Sequence, residues 1–488
     1  MEKQVDTSNK SLKKNYVLNL VYQIIAIIVP FITTPYVSRV LQADGVGAYS
    51  YTLATATYMG TFAILGMDIY GQLQIAKYRD DHEQCSRLIY GIFSAKLLTT
   101  TITILLYVIL EPYIGMYPKL YWIMILFFLA QLFDFTWFFQ GIEEFAFILT
   151  RNLLVKAIGI VGIFCLVRTQ DDLGIYTIIM QGTVLFGNLI VIPYLRKFMI
   201  RVPVRQVRIS QHLKGGLIYF VPTIATSVYT MLDKSMIGWI TKTAYENGYY
   251  EQAYKIVQMV LVVVTSLRTV TLPRVVRLYD EKNDYELRSI IDGTIRFAIG
   301  ISLPMAVGII MVAPQLIPLF LGEGYEKSIV IVRVLAFLIV VVGLSNLVSG
   351  QCLTAMDKQK QANICVITGA VVNFVMNLIL IPNCGALGAA IATVAAETLI
   401  VIMLTYFGRE YIKIREMLRQ LLKYGLCSAL MAAVIYGLNF TGLGMEVLLV
   451  LKIVLGVTVY FGLLLLLKDD LVTHLIHSVL HMRKYKNN

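Results

Sequence analysis

Residues 361–382 read QANICVITGAVVNFVMNLILIP, and residues 385–407 read GALGAAIATVAAETLIVIMLTYF. Each stretch is apolar over the roughly 20 residues that an α-helix needs to cross the hydrocarbon core of a bilayer. Only Asn383 and Cys384 stand between the two stretches. This part of the chain therefore predicts two consecutive membrane-spanning helices.

The same pattern recurs along all 488 residues. Hydrophobic residues make up 58% of the chain and charged residues only 15%, whereas soluble domains average about 45 to 50% and roughly 25%. A water-soluble globular protein is therefore excluded, and the segments are far longer than the ~10-residue strands of an outer-membrane barrel. We predict an all-α polytopic membrane protein with about 14 transmembrane helices. The apolar segments lie near residues 15–41, 46–67, 85–110, 120–141, 145–167, 173–195, 215–240, 249–273, 288–312, 326–350, 361–382, 385–407, 421–440 and 445–467.

The basic residues indicate which ends of these helices face the cytoplasm. With a cytoplasmic N-terminus, the inside segments hold 28 Lys and Arg residues and the outside loops hold 4. Basic residues concentrate in the cytoplasmic loops of membrane proteins, so this split supports that orientation. An even number of helices then places both termini in the cytoplasm. The basic residues of the cytoplasmic segments thereby account for the net charge of +12, and no nucleic-acid partner is predicted.

A weak internal repeat suggests two pseudo-symmetric six-helix lobes. Gly47 and Gly248 each open a segment after a short outside loop, and Gly174 and Gly388 open two further segments in the same way. Each pair is six segments apart, which indicates parallel repeats about an axis along the membrane normal. We predict an N-lobe at 1–195, a basic cytoplasmic linker at 196–214, a C-lobe at 215–407, and two further helices with a cytoplasmic tail at 408–488.

Apart from those at the first three positions of a segment, which are counted with the loops, ten basic residues fall inside the predicted helices. Ten lipid-facing cations would cost roughly 25 to 35 kcal/mol on insertion scales. The clear intramembrane acids are few, chiefly Asp134, Asp233 and Glu397, so pairing is not expected to neutralise the set. A hydrated cationic cavity, which attracts an anion, is the simplest arrangement. The ten are Arg39, Lys96, Arg151, Lys156, Lys234, Lys255, Arg268, Arg296, Arg333 and Lys452.

The depth of each residue, at ~1.5 Å per residue, guides the choice of site residues. Lys96 and Lys156 lie too deep to reach an interface, so we expect them to face the cavity, whereas Arg39, Arg333 and Lys452 fit either the cavity or an interface. Glu397 and Asp134 are candidates for ion coupling. The predicted substrate contacts are Arg39, Lys96, Arg151, Lys156, Asp233, Lys234, Lys255, Arg268 and Arg296.

Signatures of enzymes and cofactors are absent from the sequence. It contains no H-E-x-x-H, no G-x-x-x-x-G-K-[ST] loop and no G-x-S-x-G, which argues against a metalloprotease, an ATP-driven pump and a serine hydrolase. The six cysteines stand singly, mostly in apolar runs, and are interpreted as core residues. We predict no enzyme activity, no cofactor and no metal.

Several motifs together resemble a known family. They are QLFDFTWFFQGIEEFAFILTR at 131–151, TPYVSRVL at 34–41, MLDKSMIG at 231–238, and NFVMNLILIP at 373–382 followed by GALGAA at 385–390. Their order and spacing resemble Wzx-type flippases of the multidrug/oligosaccharidyl-lipid/polysaccharide export superfamily, from about residue 10 to about residue 440.

This resemblance implies a two-lobed bundle that alternates between inward and outward access. It implies an undecaprenyl-pyrophosphate-linked oligosaccharide as the substrate and the bacterial plasma membrane as the location. The pyrophosphate fits a cationic cavity, and membrane lipids, a polysaccharide polymerase and glycosyltransferases are the partners that follow.

Two alternatives within the superfamily remain open at this point. One is a lipid II flippase, and the other is a cation-coupled multidrug exporter, for which an acid-rich cavity would be expected. A membrane glycosyltransferase or polymerase, from another class, would need a large extramembrane loop and clustered acids, and the sequence shows neither.

Overall fold

A computed structural model describes residues 2–114, 116–203 and 208–470. The described residues form helices joined by short turns and contain no β-strand. Predictions that concern residues 204–207 of the linker and the tail after residue 470 lie outside the described residues. The chain forms two compact units, Met1–Gly248 and Tyr249–Asn488. The lobe boundaries predicted from the internal repeat stay a prediction.

The described residues of the first unit form the following helices. They are α1 (Glu2–Ile64), α2 (Met67–Tyr78), α3 (His82–Ile114), α4 (Pro118–Ile123), α5 (Ile125–Leu132), α6 (Thr136–Gly141), α7 (Phe145–Leu166), α8 (Leu173–Leu195), α9 (Ile209–Thr241) and the first turn of α10 (Ala244–Asp280).

The described residues of the second unit hold the remainder of α10 and the helices that follow it. These are α11 (Asp284–Leu321), α12 (Glu326–Leu335), α13 (Leu338–Val348), α14 (Gln359–Cys384), α15 (Ala386–Phe407), α16 (Ile414–Gly437) and α17 (Met445–Leu466). The opening stretch 361–407 forms the predicted helical hairpin, α14 and α15, which turns at Gly385 with a φ of 56°.

Membrane crossing is supported by the length and hydropathy of these helices. In the part of the chain that the structure describes, eleven helices or joined helices are long and apolar enough to cross a bilayer. Helices α1 and α9 are not among them; they contain the predicted segments 15–41 and 215–240 and most of 46–67. The all-α polytopic fold is confirmed, whereas the number fourteen and the cytoplasmic termini stay predictions.

A sharp break divides α1 between its two predicted segments. Gln42 has a φ of 58° and a ψ of 177°, a conformation that costs a non-glycine residue of order 1–3 kcal/mol. Its side-chain amide donates to the carbonyl of Arg39 at 3.4 Å. The helix therefore ends and restarts here, as the short predicted loop requires.

Gly47 and Gly248, the first pair of repeat glycines, lie where α1 restarts and where α10 begins, and the two helices pack against each other there. A Cβ added at Gly47 would lie 1.8 Å from the carbonyl oxygen of Ala244, and one at Gly248 would lie 1.9 Å from that of Ala43. Ala43 and Gly47 thus mirror Ala244 and Gly248, four residues apart in each helix. Small residues at this spacing let helix backbones approach closely, so the repeat has a packing role within the first unit.

Aromatic side chains form the core of the first unit. The rings of Tyr107 and Tyr121 stack with centroids 4.7 Å apart, and Phe128 meets Tyr107 edge-on at 4.9 Å. A second cluster stacks Phe139 on Tyr194 at 5.7 Å. Pairs of this kind contribute about 0.5–1.5 kcal/mol each beyond area burial.

The predicted segment 120–141 is a broken helix. Residues Phe133–Phe135 separate α5 from α6, and the Asp134 N–H donates to Gln131 rather than to Ala130, its normal helical acceptor. Carbonyls left over at such a break need other donors because the bilayer core supplies no water. The break therefore marks the place where polar side chains converge.

Candidate functional site

Asp134 organises the break between α5 and α6. Its carboxylate oxygen Oδ1 accepts from the backbone N–H of Thr136 at 2.8 Å and thereby caps α6. Its main-chain carbonyl accepts from Lys96 Nζ at 3.2 Å. The side chain and the backbone of one residue thus link α3 to both halves of the broken helix.

Lys96 is buried in this site and paired. Its ammonium donates to Asp68 Oδ1 at 2.9 Å, and its side chain is 2% exposed while that of Asp68 is 35% exposed. A buried ammonium requires such a partner, because an unpaired charge in an apolar interior is very costly. These contacts support a structural role for Lys96, and its predicted contact with substrate stays a prediction.

Arg151 is held in place by neutral side chains. Its guanidinium donates from Nη1 to Asn188 Oδ1 at 2.9 Å, from Nη2 to Thr136 Oγ1 at 3.1 Å, and from Nη2 to Asn152 Oδ1 at 2.8 Å. The Asp134 carboxylate lies 3.9 Å from Nη1. The guanidinium is therefore oriented beside the broken helix before any ligand binds.

Asn188 is the residue that fixes this orientation. It is 3% exposed, and its Nδ2 donates at 2.7 Å to the Ala130 carbonyl that the helix break leaves over. Because its nitrogen is committed to that carbonyl, its oxygen is turned toward Arg151. The structure thus brings together Lys96, Asp134 and Arg151 of the predicted set.

Two predicted cations of the second unit have acidic partners. Lys255 Nζ lies 3.3 Å from Glu251 Oε1, one turn earlier on α10. Arg296 Nη1 lies 2.9 Å from Asp470 Oδ2. Their contact with substrate stays a prediction.

Arg268 lies against α13 and the segment that follows it. Its Nη1 donates to Asn346 Oδ1 at 3.3 Å. A Cβ added at Gly350 would lie 2.6 Å from its Nε. Gly350 therefore leaves the room that the guanidinium occupies, and a larger residue there would displace it.

The remaining predicted contacts differ in their exposure. Arg39 is exposed, Lys156 and Lys234 are half-buried, and Asp233 is 8% exposed. The main-chain carbonyl of Lys234 accepts from Asn247 Nδ2 at 2.8 Å, which ties the end of α9 to α10. The substrate contacts of these four side chains stay predictions.

Glu397 lies one turn beyond a polar ladder in the second unit. Asn377 donates to Asn373 at 3.1 Å, Asn373 donates to Thr393 at 3.4 Å, and the Tyr250 hydroxyl lies 3.3 Å from the same threonine. The bond from Asn373 to Thr393 joins α14 to α15, as polar side chains do between helices in membranes. The half-buried Glu397 continues the line, and its coupling role stays a prediction.

The loop before α16, which lies outside the spanning helices, is contacted by cations from other parts of the second unit. Lys358 Nζ donates to Glu410 Oε2 at 2.8 Å, and this hydrogen bond lowers the pKa of Glu410 and raises the pKa of Lys358. Arg288 and Lys358 both approach the ring of Tyr411, at 5.6 and 5.4 Å from its centroid. An ion pair and two cation–π contacts therefore hold this loop in place.

Three important partners escaped the sequence-based choice of site residues. Asp68 and Glu251 are not among the predicted intramembrane acids, so ion pairing of the cations is more extensive than expected. Asn188 is neutral, and the prediction of site residues rests on charge. Glu251 precedes Lys255 by four residues, a helical pair spacing that could have revealed it. Asp68 and Asn188 are distant in sequence from Lys96 and Arg151, and no local signal identifies them.

The fold is that of the exporters to which the motifs point. The solved structure of a lipid II flippase, MurJ, in an inward closed conformation superimposes with a TM-score of 0.74 at 16% identity, over 94% of this chain and 99% of that one. An inward-facing multidrug transporter of the same superfamily gives a TM-score of 0.58 at 16% identity, over 80% of this chain and 99% of that one.

The chain belongs to the family of polysaccharide biosynthesis proteins, whose model matches residues 12–279. A MatE model matches residues 220–379. A protein described as an O-antigen transporter of Escherichia coli (strain K12) is 22% identical over 421 residues, which are 83% of this chain and 99% of that protein. A glycan biosynthesis flippase of Haloferax volcanii is 22% identical over 247 residues, about half of each chain.

These matches confirm the resemblance to Wzx-type flippases of the export superfamily. The protein is a multi-pass membrane flippase of that superfamily, associated with polysaccharide biosynthesis. The relatives are described as transporters and flippases rather than as enzymes.

Proposed function

We propose that the protein translocates undecaprenyl-pyrophosphate-linked oligosaccharide repeat units across the bacterial plasma membrane by alternating access. The cations of the spanning helices contact the pyrophosphate and the sugars, and the polyprenyl tail stays in lipid. Glycosyltransferases supply the substrate and a polysaccharide polymerase consumes it. The description of the Escherichia coli relative as an O-antigen transporter supports this substrate class.

The observation that carries the proposal is the fixed guanidinium of Arg151. Three side chains from α6, α7 and α8 accept from its Nε, Nη1 and Nη2 atoms and orient it, and a phosphate that displaces one of these neutral acceptors gains a charge-assisted hydrogen bond. Because the donors are already positioned, little rotamer entropy is lost on binding. This arrangement suits the recognition of an anion better than that of a cationic drug.

The other predicted contacts belong to the same proposal. Arg39, Lys234 and Lys255 complete the head-group contacts, and Asp134 or Glu397 carries a coupling ion. Lys96 is left out because its ammonium is already buried against Asp68.

The proposal is tested by changing the charge around Arg151 without changing its shape. Replacing Asn188 with Asp keeps the size of the side chain but sets a carboxylate directly against the guanidinium, which weakens attraction for an anion. The same change removes the donor to the Ala130 carbonyl, so the folded fraction of the variant is measured beside its flipping. We expect flipping of the lipid-linked oligosaccharide in proteoliposomes to fall about tenfold or more, because charge-assisted hydrogen bonds are worth about 1.5–3 kcal/mol. Arg151→Lys retains part of the activity and Arg151→Gln loses it.

Arg419→Gln serves as the control, because this side chain is 82% exposed on α16 and the variant removes one positive charge elsewhere. Wild-type flipping by Asn188→Asp and Arg151→Gln at normal protein levels would refute the site. Preferred transport of lipid II would select the first alternative. Transport of cationic drugs, driven by a cation gradient and unaffected by these variants, would select the second.

A further inference from the structure

A proline in α11 creates an acceptor for a lipid-facing arginine. Pro314 lies inside α11, and it has no N–H to donate to the carbonyl of Ile310 four residues earlier. Arg333 of α12 donates a hydrogen bond to that carbonyl instead, with its Nε 3.3 Å from the oxygen. The Nε atom of this guanidinium is therefore held by the backbone of a neighbouring helix.

The side chain of Arg333 is exposed, and its Nη1 and Nη2 atoms form a pair of parallel donors. Arg333 is exposed and lies on one helical face between Val330 and Phe337, which are 46% and 54% exposed. Because this helix is long and apolar enough to span the bilayer, we infer that the exposed apolar stripe faces lipid. Within the described residues, the Nη1 and Nη2 atoms of Arg333 make no hydrogen bond, so two parallel donors of an exposed side chain are available to a ligand.

A second cation lies behind the first. Lys452 of α17 is 1% exposed, and its Nζ donates to Gln315 Oε1 at 2.8 Å and to the Met311 carbonyl at 3.3 Å. Met311 follows Ile310, so both cations bind the same turn of α11. No carboxylate of the described ranges forms an ion pair with either Arg333 or Lys452.

Both cations lie at the same level along α11, against the carbonyls of Ile310 and Met311. Arg333 is the eighth residue of α12 and Lys452 the eighth residue of α17, and α11 ends where α12 begins. At ~1.5 Å per residue, each is about 10 Å inside its helix start. Two cations without acidic partners at that depth are unfavourable by about 2.5–3.5 kcal/mol each on insertion scales, so a bound anion would stabilise them.

We propose that Arg333, backed by Lys452, binds the phosphodiester group of an anionic phospholipid from the surrounding leaflet. A guanidinium fork binds two phosphate oxygens in parallel. The apolar stripe beside it receives the acyl chains, which a free phosphate does not offer. The site shares no residue with the one around Arg151, and its existence does not depend on the transported substrate.

The test uses the full-length protein and native mass spectrometry in detergent. Phosphatidylglycerol and phosphatidylcholine with identical acyl chains are titrated separately, followed by inorganic phosphate. We expect the wild type to retain phosphatidylglycerol in preference to phosphatidylcholine. Arg333→Gln should weaken this retention about tenfold, equal to ~1.4 kcal/mol, and Arg333→Lys should give an intermediate loss because it keeps the charge but not the fork.

Arg419→Gln is the matched control, since it removes an exposed positive charge from another helix and should bind phosphatidylglycerol as the wild type does. Equal retention of phosphatidylglycerol by the wild type and Arg333→Gln would overturn the proposal. Displacement of the lipid by millimolar inorganic phosphate would overturn the lipid as the source of the phosphate. If Arg333→Gln fails to fold, undiminished binding by Arg333→Lys would overturn binding through the guanidinium fork.

Discussion

The buried pair of Lys96 and Asp68 makes a sharp prediction about stability. Replacing Asp68 with Asn leaves an ammonium that is 2% exposed without its carboxylate. Removing one partner of a buried ion pair costs about 3–5 kcal/mol. Replacing Lys96 with Met leaves a carboxylate that is 35% exposed and is partly hydrated, so we expect a smaller loss of about 1–3 kcal/mol.

The double variant Asp68→Asn, Lys96→Met should be more stable than the sum of the two losses predicts. It removes both charges together, so neither is left uncompensated, and the further loss is the hydrogen bond from Lys96 to the Asp134 carbonyl. We expect a coupling energy of about 1–3 kcal/mol. The free energy of unfolding is measured by tryptophan fluorescence in mixed micelles of rising denaturing-detergent content.

The exposed pair of Arg274 and Glu286 provides the control for this measurement. Its atoms lie 2.6 Å apart, but the side chains are 60% and 41% exposed, so the same cycle should give about 1 kcal/mol or less. Additive losses at Lys96 and Asp68 would refute the buried pair. Flipping activity separates the two roles of Lys96, because a stable but inactive double variant would identify a substrate contact and an active one a structural residue.

Three further predictions concern the helix junction, the loop before α16 and the polar ladder. Gly47→Ala places a methyl group 1.8 Å from a carbonyl oxygen and should abolish flipping or folding, whereas Gly293→Ala, which meets nothing within 4 Å, should be silent in both assays. Because Lys358 lowers the pKa of Glu410, their pair stabilises the protein above the usual glutamate pKa and is lost as the pH falls. Glu410→Gln should remove that pH dependence, a few tenths of a kcal/mol for so exposed a pair, from thermal midpoints between about pH 6 and pH 3. Glu397→Gln should flatten the pH dependence of flipping if Glu397 carries a coupling proton, and an unchanged profile would assign it to packing.

The fold class could be predicted because membrane helices are recognisable by length and hydropathy alone. The segments at 361–382 and 385–407 fall within α14 and α15 and the turn between them, and the break at Gln42 falls between two predicted segments. The division of 120–141 into three short helices was not predicted, because an apolar sequence does not show where its hydrogen bonds stop.

The site was predicted in part because charges inside apolar segments are conspicuous. Asp134 and Arg151 were chosen for that reason, and the structure brings them within 3.9 Å. The choice of partner depends on which helices pack together, which periodicity does not reveal. A neutral amide such as Asn188 becomes important only once α8 lies against the broken helix.

The broken helix has a consequence for the biosynthesis of the chain. When residues 118–141 enter the membrane, α3 has already been made, so Lys96 is available for the Asp134 carbonyl. The Ala130 carbonyl must wait for Asn188, which is 58 residues further along. At 5–20 residues per second this interval lasts about 3 to 12 s. The nascent segment must be sheltered from lipid during that time, by the insertion machinery or by bound water, until α8 arrives.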